Sequence, residues 1–157
     1  MVDSSMLQTV CYSCKAYCCT LVLPPITNSE RQRILDAGFQ DHFEKIQKNL
    51  YVIKSDSSSK CPFLTKNYSC SIHKVKPHLC RLWPVVPSYK NKKRGCVIIH
   101  CPLFPFLSNE VIDKKVKEAL KMPIHIIEYL WAISSKKKEK YKKFEYKKYE
   151  TVFLNVF

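Results

Sequence analysis

Apolar residues recur at helical spacing in a few parts of the chain only. After the polar pair Asn28-Ser29, Ile34, Leu35 and Phe39 share one face, which predicts a helix ending near Gly38. Ser29 and Gln32 have the spacing of a capping box at its start. Phe43 and Ile46, three residues apart, predict a second short helix over Asp41–Asn49. Leu50–Ile53 is a β-type apolar run, and Lys54–Lys60 reads as a polar loop. From Ser108 the helical period returns: Ile112, Val116, Ala119 and Leu120 fall on one face. Pro123 ends that helix or opens the next, in which Ile127, Leu130 and Trp131 form the stripe.

Between these parts the texture differs. Residues 61–102 contain prolines at 62, 77, 84, 87 and 102, which leaves no room for a long regular element. Short strands are expected at Cys61–Thr65 and Cys96–His100, with a basic turn at Tyr89–Arg94. The sum is an α+β chain: a small, irregular, metal-stapled cysteine-rich domain over residues 1–107, then a basic helical segment over 108–157.

Composition removes several functions. Gly occurs twice, at Gly38 and Gly95, so no glycine-rich phosphate loop can be written. A Rossmann dehydrogenase, a P-loop NTPase and a protein kinase are thereby disfavoured. The formal charge is +14, with 23 Lys and 4 Arg. Such a surface attracts anions without naming one. Lys136–Lys148 holds eight of the Lys, interleaved with Tyr141, Phe144 and Tyr146. That run reads first as a solvated helix face and second as an arm for nucleic acid. The opening MVDSSMLQTV has no basic n-region and no apolar h-region, so no secretory leader is expected. No apolar stretch approaches the roughly 20 residues of a membrane span. A cytoplasmic protein without membrane contact is the expectation.

Cysteine is the strongest signal, with nine in 157 residues. In a reducing compartment, Cys at chelating spacings indicate metal before disulfides. Cys11-x2-Cys14 lets two sulfurs turn toward one ion, and Cys18 extends it to a compact three-thiolate loop of the [4Fe–4S] type. Cys18 and Cys19 are adjacent, so they serve two sites or together face one cluster. Cys61, Cys70 and Cys80 can complete a site begun elsewhere. Cys96 reads as an ordinary buried Cys and His73 as a packing residue.

The blocks Cys61-Pro-Phe-Leu, Cys70-Ser-Ile-His73, Lys76-Pro77, Cys80-Arg81-Leu-Trp83-Pro84 and Cys101-Pro102 resemble the CxxCxxCC cysteine-cluster family, also called YkgJ-like. The resemblance covers about residues 11–102. The opening C-x2-C-x3-C-C is one residue longer than the family's usual form, and Lys15 stands where Gly is common. The resemblance implies zinc or iron chelation by eight Cys: Cys11, Cys14, Cys18, Cys19, Cys61, Cys70, Cys80 and Cys101. An iron–sulfur cluster, [4Fe–4S] in type, or Zn2+ is the expected cofactor. A protein partner is compatible with either. The competing functions are an enzyme whose cluster supports a modification such as methyl transfer, and a zinc-stabilised nucleic-acid-binding protein using the Lys-rich tail.

Overall fold

The computed structural model describes residues 4–21, 23–55, 60–90, 92–140 and 151–154. The polar loop expected over Lys54–Lys60 lies partly outside them, and Tyr141–Lys148 of the Lys-rich tail lies wholly outside. The chain divides into two compact units, Met1–Arg81 and Leu82–Phe157. Each mixes helices with a small antiparallel sheet, so the class is α+β, with short elements joined by turns.

In the first unit, α1 (Ser4–Ser13) and the single-turn α2 (Cys18–Leu21) carry the opening cysteines. β1 (Pro25–Thr27) follows and leads into α3 (Asn28–Asp36). The cap of α3 is Thr27, one residue before the expected pair. Its hydroxyl accepts the Glu30 amide at 3.3 Å, and the Glu30 carboxylate accepts the Thr27 amide at 2.8 Å. Both T-x-x-E and S-x-x-Q fit the capping box; the carboxylate, favoured at a helix N-terminus, sits in the pair that forms. Gly38 follows the last turn at φ +83°, a left-handed position that costs glycine nothing.

The helix expected over Asp41–Asn49 is instead β2 (Phe43–Gln47), paired antiparallel with β3 (Leu50–Ile53) across a turn in which Asn49 is left-handed. The misleading period has a physical origin. The register shifts between Lys45 and Gln47, and the extra residue in this bulge lets Phe43 and Ile46 both stay half-buried though three apart. β1 covers the other edge of β3, giving the order β1-β3-β2. Leu23, Ile34, Ile53, Phe63 and Ile72 form the core of the unit, and Cys61 and Cys70 pack against it. Cys61–Thr65 is a turn rather than a strand, since only Leu64 bridges, to Cys70. α4 (His78–Leu82) follows the buried Pro77.

In the second unit, β4 (Val85–Lys90) and β5 (Lys93–Ile99) form a hairpin, with β6 (Thr151–Leu154) on the far side of β5. Tyr89, Lys90, Lys93 and Arg94 belong to the strands, so the expected basic turn is shorter. Pro87 is tolerated because β4 is an edge strand. Its free carbonyl accepts the Trp131 indole N–H at 2.9 Å. α5 (Asn109–Leu120) is capped by Ser108, as expected, and buries Ile112, Val116 and Ala119. Arg94 donates to the Leu120 and Met122 carbonyls and so satisfies the C-terminal end of α5. α6 (Ile124–Lys140) buries Ile126, Ile127 and Leu130. Among the described residues no helix is long and apolar enough to cross a membrane.

The cap assignment is testable by urea denaturation. Thr27→Ala should cost about 1 kcal/mol through loss of the cap, while Ser29→Ala should cost a few tenths at most. The reverse order would move the cap to Ser29.

Candidate metal centre

The opening motif is built from a helix end and a reversal. Cys11 is the eighth residue of α1, and the Cys14 amide still reaches back to the Val10 carbonyl at 3.3 Å. Lys15 and Ala16 then both take left-handed backbone, φ 53° and 47°. The Ala16 amide returns to the Cys11 carbonyl at 2.7 Å and closes the turn. Two consecutive left-handed non-glycine residues are unfavourable alone; the burial of Ala16, 2% exposed, holds them in place. The Lys15 position, where the family pattern commonly has Gly, is thus a place that glycine would fill without strain. The reversal delivers Cys18 and Cys19 on α2, and the Cys19 amide bonds to the Ala16 carbonyl at 2.8 Å.

The second cysteine segment is fastened to the first through the backbone. The Cys61 amide donates to the Cys19 carbonyl at 3.0 Å. The loop then doubles back, with Ser71 donating its amide to Phe63 at 2.9 Å and Leu64 bridging Cys70. Phe63 and Ile72, buried in the core, fix both limbs, so Cys61 and Cys70 are carried on anchored backbone. Cys80 lies on α4, whose start is set by Glu30. One carboxylate oxygen of Glu30 closes the capping box of α3, and the other accepts the His78 amide at 2.6 Å. A second tie runs through the Lys76 carbonyl, which accepts from Arg33 at 3.3 Å and from Arg81 Nε at 3.1 Å. Arg81 therefore fastens the turn before α4. The spacing of cysteines alone does not reveal Glu30; the T-x-x-E signature at Thr27 does.

The thiols perturb one another. The Cys18 thiol is hydrogen-bonded to Cys19, which holds Cys18 well above the ordinary thiol value and draws Cys19 down. Burial, Cys11 and Cys80 add to the rise at Cys18. Cys80 is pushed up by burial first and then by Cys19, Cys61 and Cys70. Cys70 is raised by burial and by Cys19. Lys76 opposes these rises, favouring the thiolates of Cys19, Cys70 and Cys80. Cys11, Cys18, Cys19, Cys61, Cys70 and Cys80 thus share one electrostatic neighbourhood, and Cys14 reaches the Cys11 carbonyl with its Sγ at 3.6 Å. All seven belong to the first unit. Cys96 and Cys101 belong to the second and are buried there. His73 is exposed, and desolvation together with Lys76 lowers its value.

All nine cysteines are free thiols. Among the described residues no three Cys, His, Asp or Glu side chains stand in metal-holding geometry. The fit to a metal is one of donor chemistry: a gathered set of sulfurs with a lysine beside it, which suits zinc or an iron–sulfur cluster. A shallow groove lined by Glu110, Asp113, Lys114, Lys117, Glu118 and Lys121 runs along α5 and contains no thiol.

Residues 10–102 match the profile of the CxxCxxCC family, described as a putative zinc- or iron-chelating domain. The chain belongs to the CxxCxxCC family. The match spans both cysteine segments, from the end of α1 to the turn after β5, and agrees with the blocks that carry the resemblance. The family's description supports metal binding and gives no physiological role. No curated protein and no solved structure matches the chain.

Burial raises the Cys96 thiol to about 11, which leaves roughly one thiol in a thousand ionised at pH 8, against about a quarter for an ordinary cysteine. Cys96 should therefore resist a thiol reagent in native protein and react only on unfolding. Mass-spectrometric mapping that finds Cys96 labelled as fast in native as in unfolded protein would contradict this placement.

Proposed function

We propose that the chain is a metal-binding protein whose first-unit thiols hold an iron–sulfur cluster. The observation that carries this is the shared neighbourhood of Cys18, Cys19, Cys61, Cys70 and Cys80, to which the Cys11-Cys14 pair is joined through Cys18. More thiols gather here than the four that one zinc ion or one iron–sulfur cluster takes, and the adjacent Cys18 and Cys19 perturb each other directly. A cluster with a second metal ion beside it accommodates both facts. The proposed ligands are Cys11, Cys14, Cys18, Cys19, Cys61, Cys70 and Cys80. Cys101, the eighth, is proposed on the family pattern alone. In this reading residues 1–107 are the metal-binding part, and 108–157 form a basic C-terminal segment, with α5, α6 and β6, that supplies no thiol. Bound iron–sulfur groups supply one-electron chemistry. Lys76 offsets the negative charge of the thiolates, and Glu30 and Arg81 hold the backbone that presents Cys80.

Protein purified without oxygen and analysed for metal and acid-labile sulfide tests the reading. Brown protein containing iron and sulfide is expected, with both lost in Cys19→Ser and Cys80→Ser and kept in Cys96→Ser. Colourless protein with stoichiometric zinc and no sulfide would replace the cluster by zinc. Protein free of both metals when prepared from metal-replete cells would overturn metal binding.

A further inference from the structure

All nine cysteines fall in two stretches of sequence, residues 4–29 and 57–109, that contain no Asp or Glu at all. The same stretches contain Lys15, Lys60, Lys66, Lys74, Lys76 and Arg81 within the first unit. These stretches are therefore positive in sequence, and the nearby Glu30 carboxylate, from outside them, is engaged by the Thr27 and His78 amides. Within them lies an aromatic pair. Tyr12, the residue after Cys11, is 62% exposed, far beyond what packing alone gives a tyrosine. Its ring meets Tyr68 edge-on, centroids 5.7 Å apart at 71°. Tyr68 closes a tight turn: its amide bonds to Thr65 at 3.0 Å, its φ is 57°, and the Thr65 and Ser69 hydroxyls meet at 2.7 Å. The ring contact joins two fixed turns, one bearing Cys11, Cys14 and Lys15, the other bearing Lys66 and leading to Cys70. Lys15 and Lys66 are both exposed. A tyrosine centre with a cationic rim is the make-up of a small protein-docking surface, in which the aromatic anchors and the rim charges steer.

We propose that the Tyr12–Tyr68 pair, with Lys15 and Lys66, docks an acidic face of a protein partner beside the thiols. Charge complementarity sets the sign of the partner, because two carboxylate-free stretches repel no anion. Nucleic acid fits less well. The edge-on ring pair is not a parallel platform for stacking bases, and the rim cations are lysines without the forked geometry that grips phosphate. Docking stands on the surface residues alone; that the partner serves the metal centre rests on the function proposed above.

The test uses the full chain, as isolated, with fluorescent anisotropy probes: a 20-residue polyglutamate and a single-stranded 20-nucleotide oligonucleotide. Lys15→Glu with Lys66→Glu is compared with Lys45→Glu and Lys48→Glu, an exposed pair on the β2–β3 hairpin that changes net charge equally. The patch variant should weaken polyglutamate binding about tenfold more than the control variant, and Tyr12→Ala should weaken it with the charge unchanged. Equal losses in the two charge variants would overturn the proposal, because net charge alone would then explain binding. A larger loss for the oligonucleotide than for polyglutamate would replace the acidic protein by nucleic acid. Metal content is measured in the same samples. If Lys15→Glu lowers it, Lys66→Glu with Tyr68→Ser takes its place. Metal-free wild-type protein would sink the thiol centre while leaving the docking result to be read by itself.

Discussion

Neighbouring thiols cannot all become anions in a partly desolvated place unless a cation joins them. Two unit charges 4 Å apart repel by about 4 kcal/mol at an effective dielectric of 20. The structure places Cys18 against Cys19, brings Cys11, Cys70 and Cys80 within the electrostatic reach of that pair, and sets Cys61 within reach of Cys80. Without a metal, the pair relieves repulsion by keeping the proton on Cys18 and easing ionisation of Cys19. One lysine, Lys76, offsets part of the charge. A divalent ion or an iron–sulfur cluster would offset far more, and its binding would expel the thiol protons. Protonated, these thiols pack without repulsion; ionised together, they need the counter-charge that a metal supplies.

The rest of the first unit holds this crowd in place. The reversal at Lys15-Ala16 turns the chain from α1 to α2. The Cys61–Cys19 backbone bond ties the second cysteine segment to the first. Glu30 serves two helices with one carboxylate, capping α3 and orienting α4. The apolar core of Leu23, Ile34, Ile53, Phe63 and Ile72 backs the loop that carries Cys61 and Cys70. Backbone geometry, capping and apolar burial thus converge on one set of sulfurs.

Much of this was legible in residue order, and the failures have physical causes. Strand β3 and α5 with its Ser108 cap follow from local pattern, and the cysteine blocks by themselves carry the family resemblance. The Phe43–Ile46 spacing imitates a helical period because β2 carries a bulge. The Cys61–Thr65 segment has strand-like residues, yet its amides turn back on the same loop instead of meeting a partner strand. The cap moved from Ser29 to Thr27 because two overlapping signatures compete and only three-dimensional contact decides. Which distant cysteines meet Cys19 is a tertiary fact, which no spacing within one segment encodes.

X-ray absorption at the metal edge of the intact, anaerobically purified protein tests the central claim most directly. It reads the atoms around the metal without reference to fold or family. The account predicts a first shell made of sulfur alone, at about 2.3 Å for thiolate ligands. For an iron–sulfur cluster, a second, metal–metal distance should accompany it. A first shell dominated by nitrogen or oxygen would contradict the thiol centre, whatever metal is found.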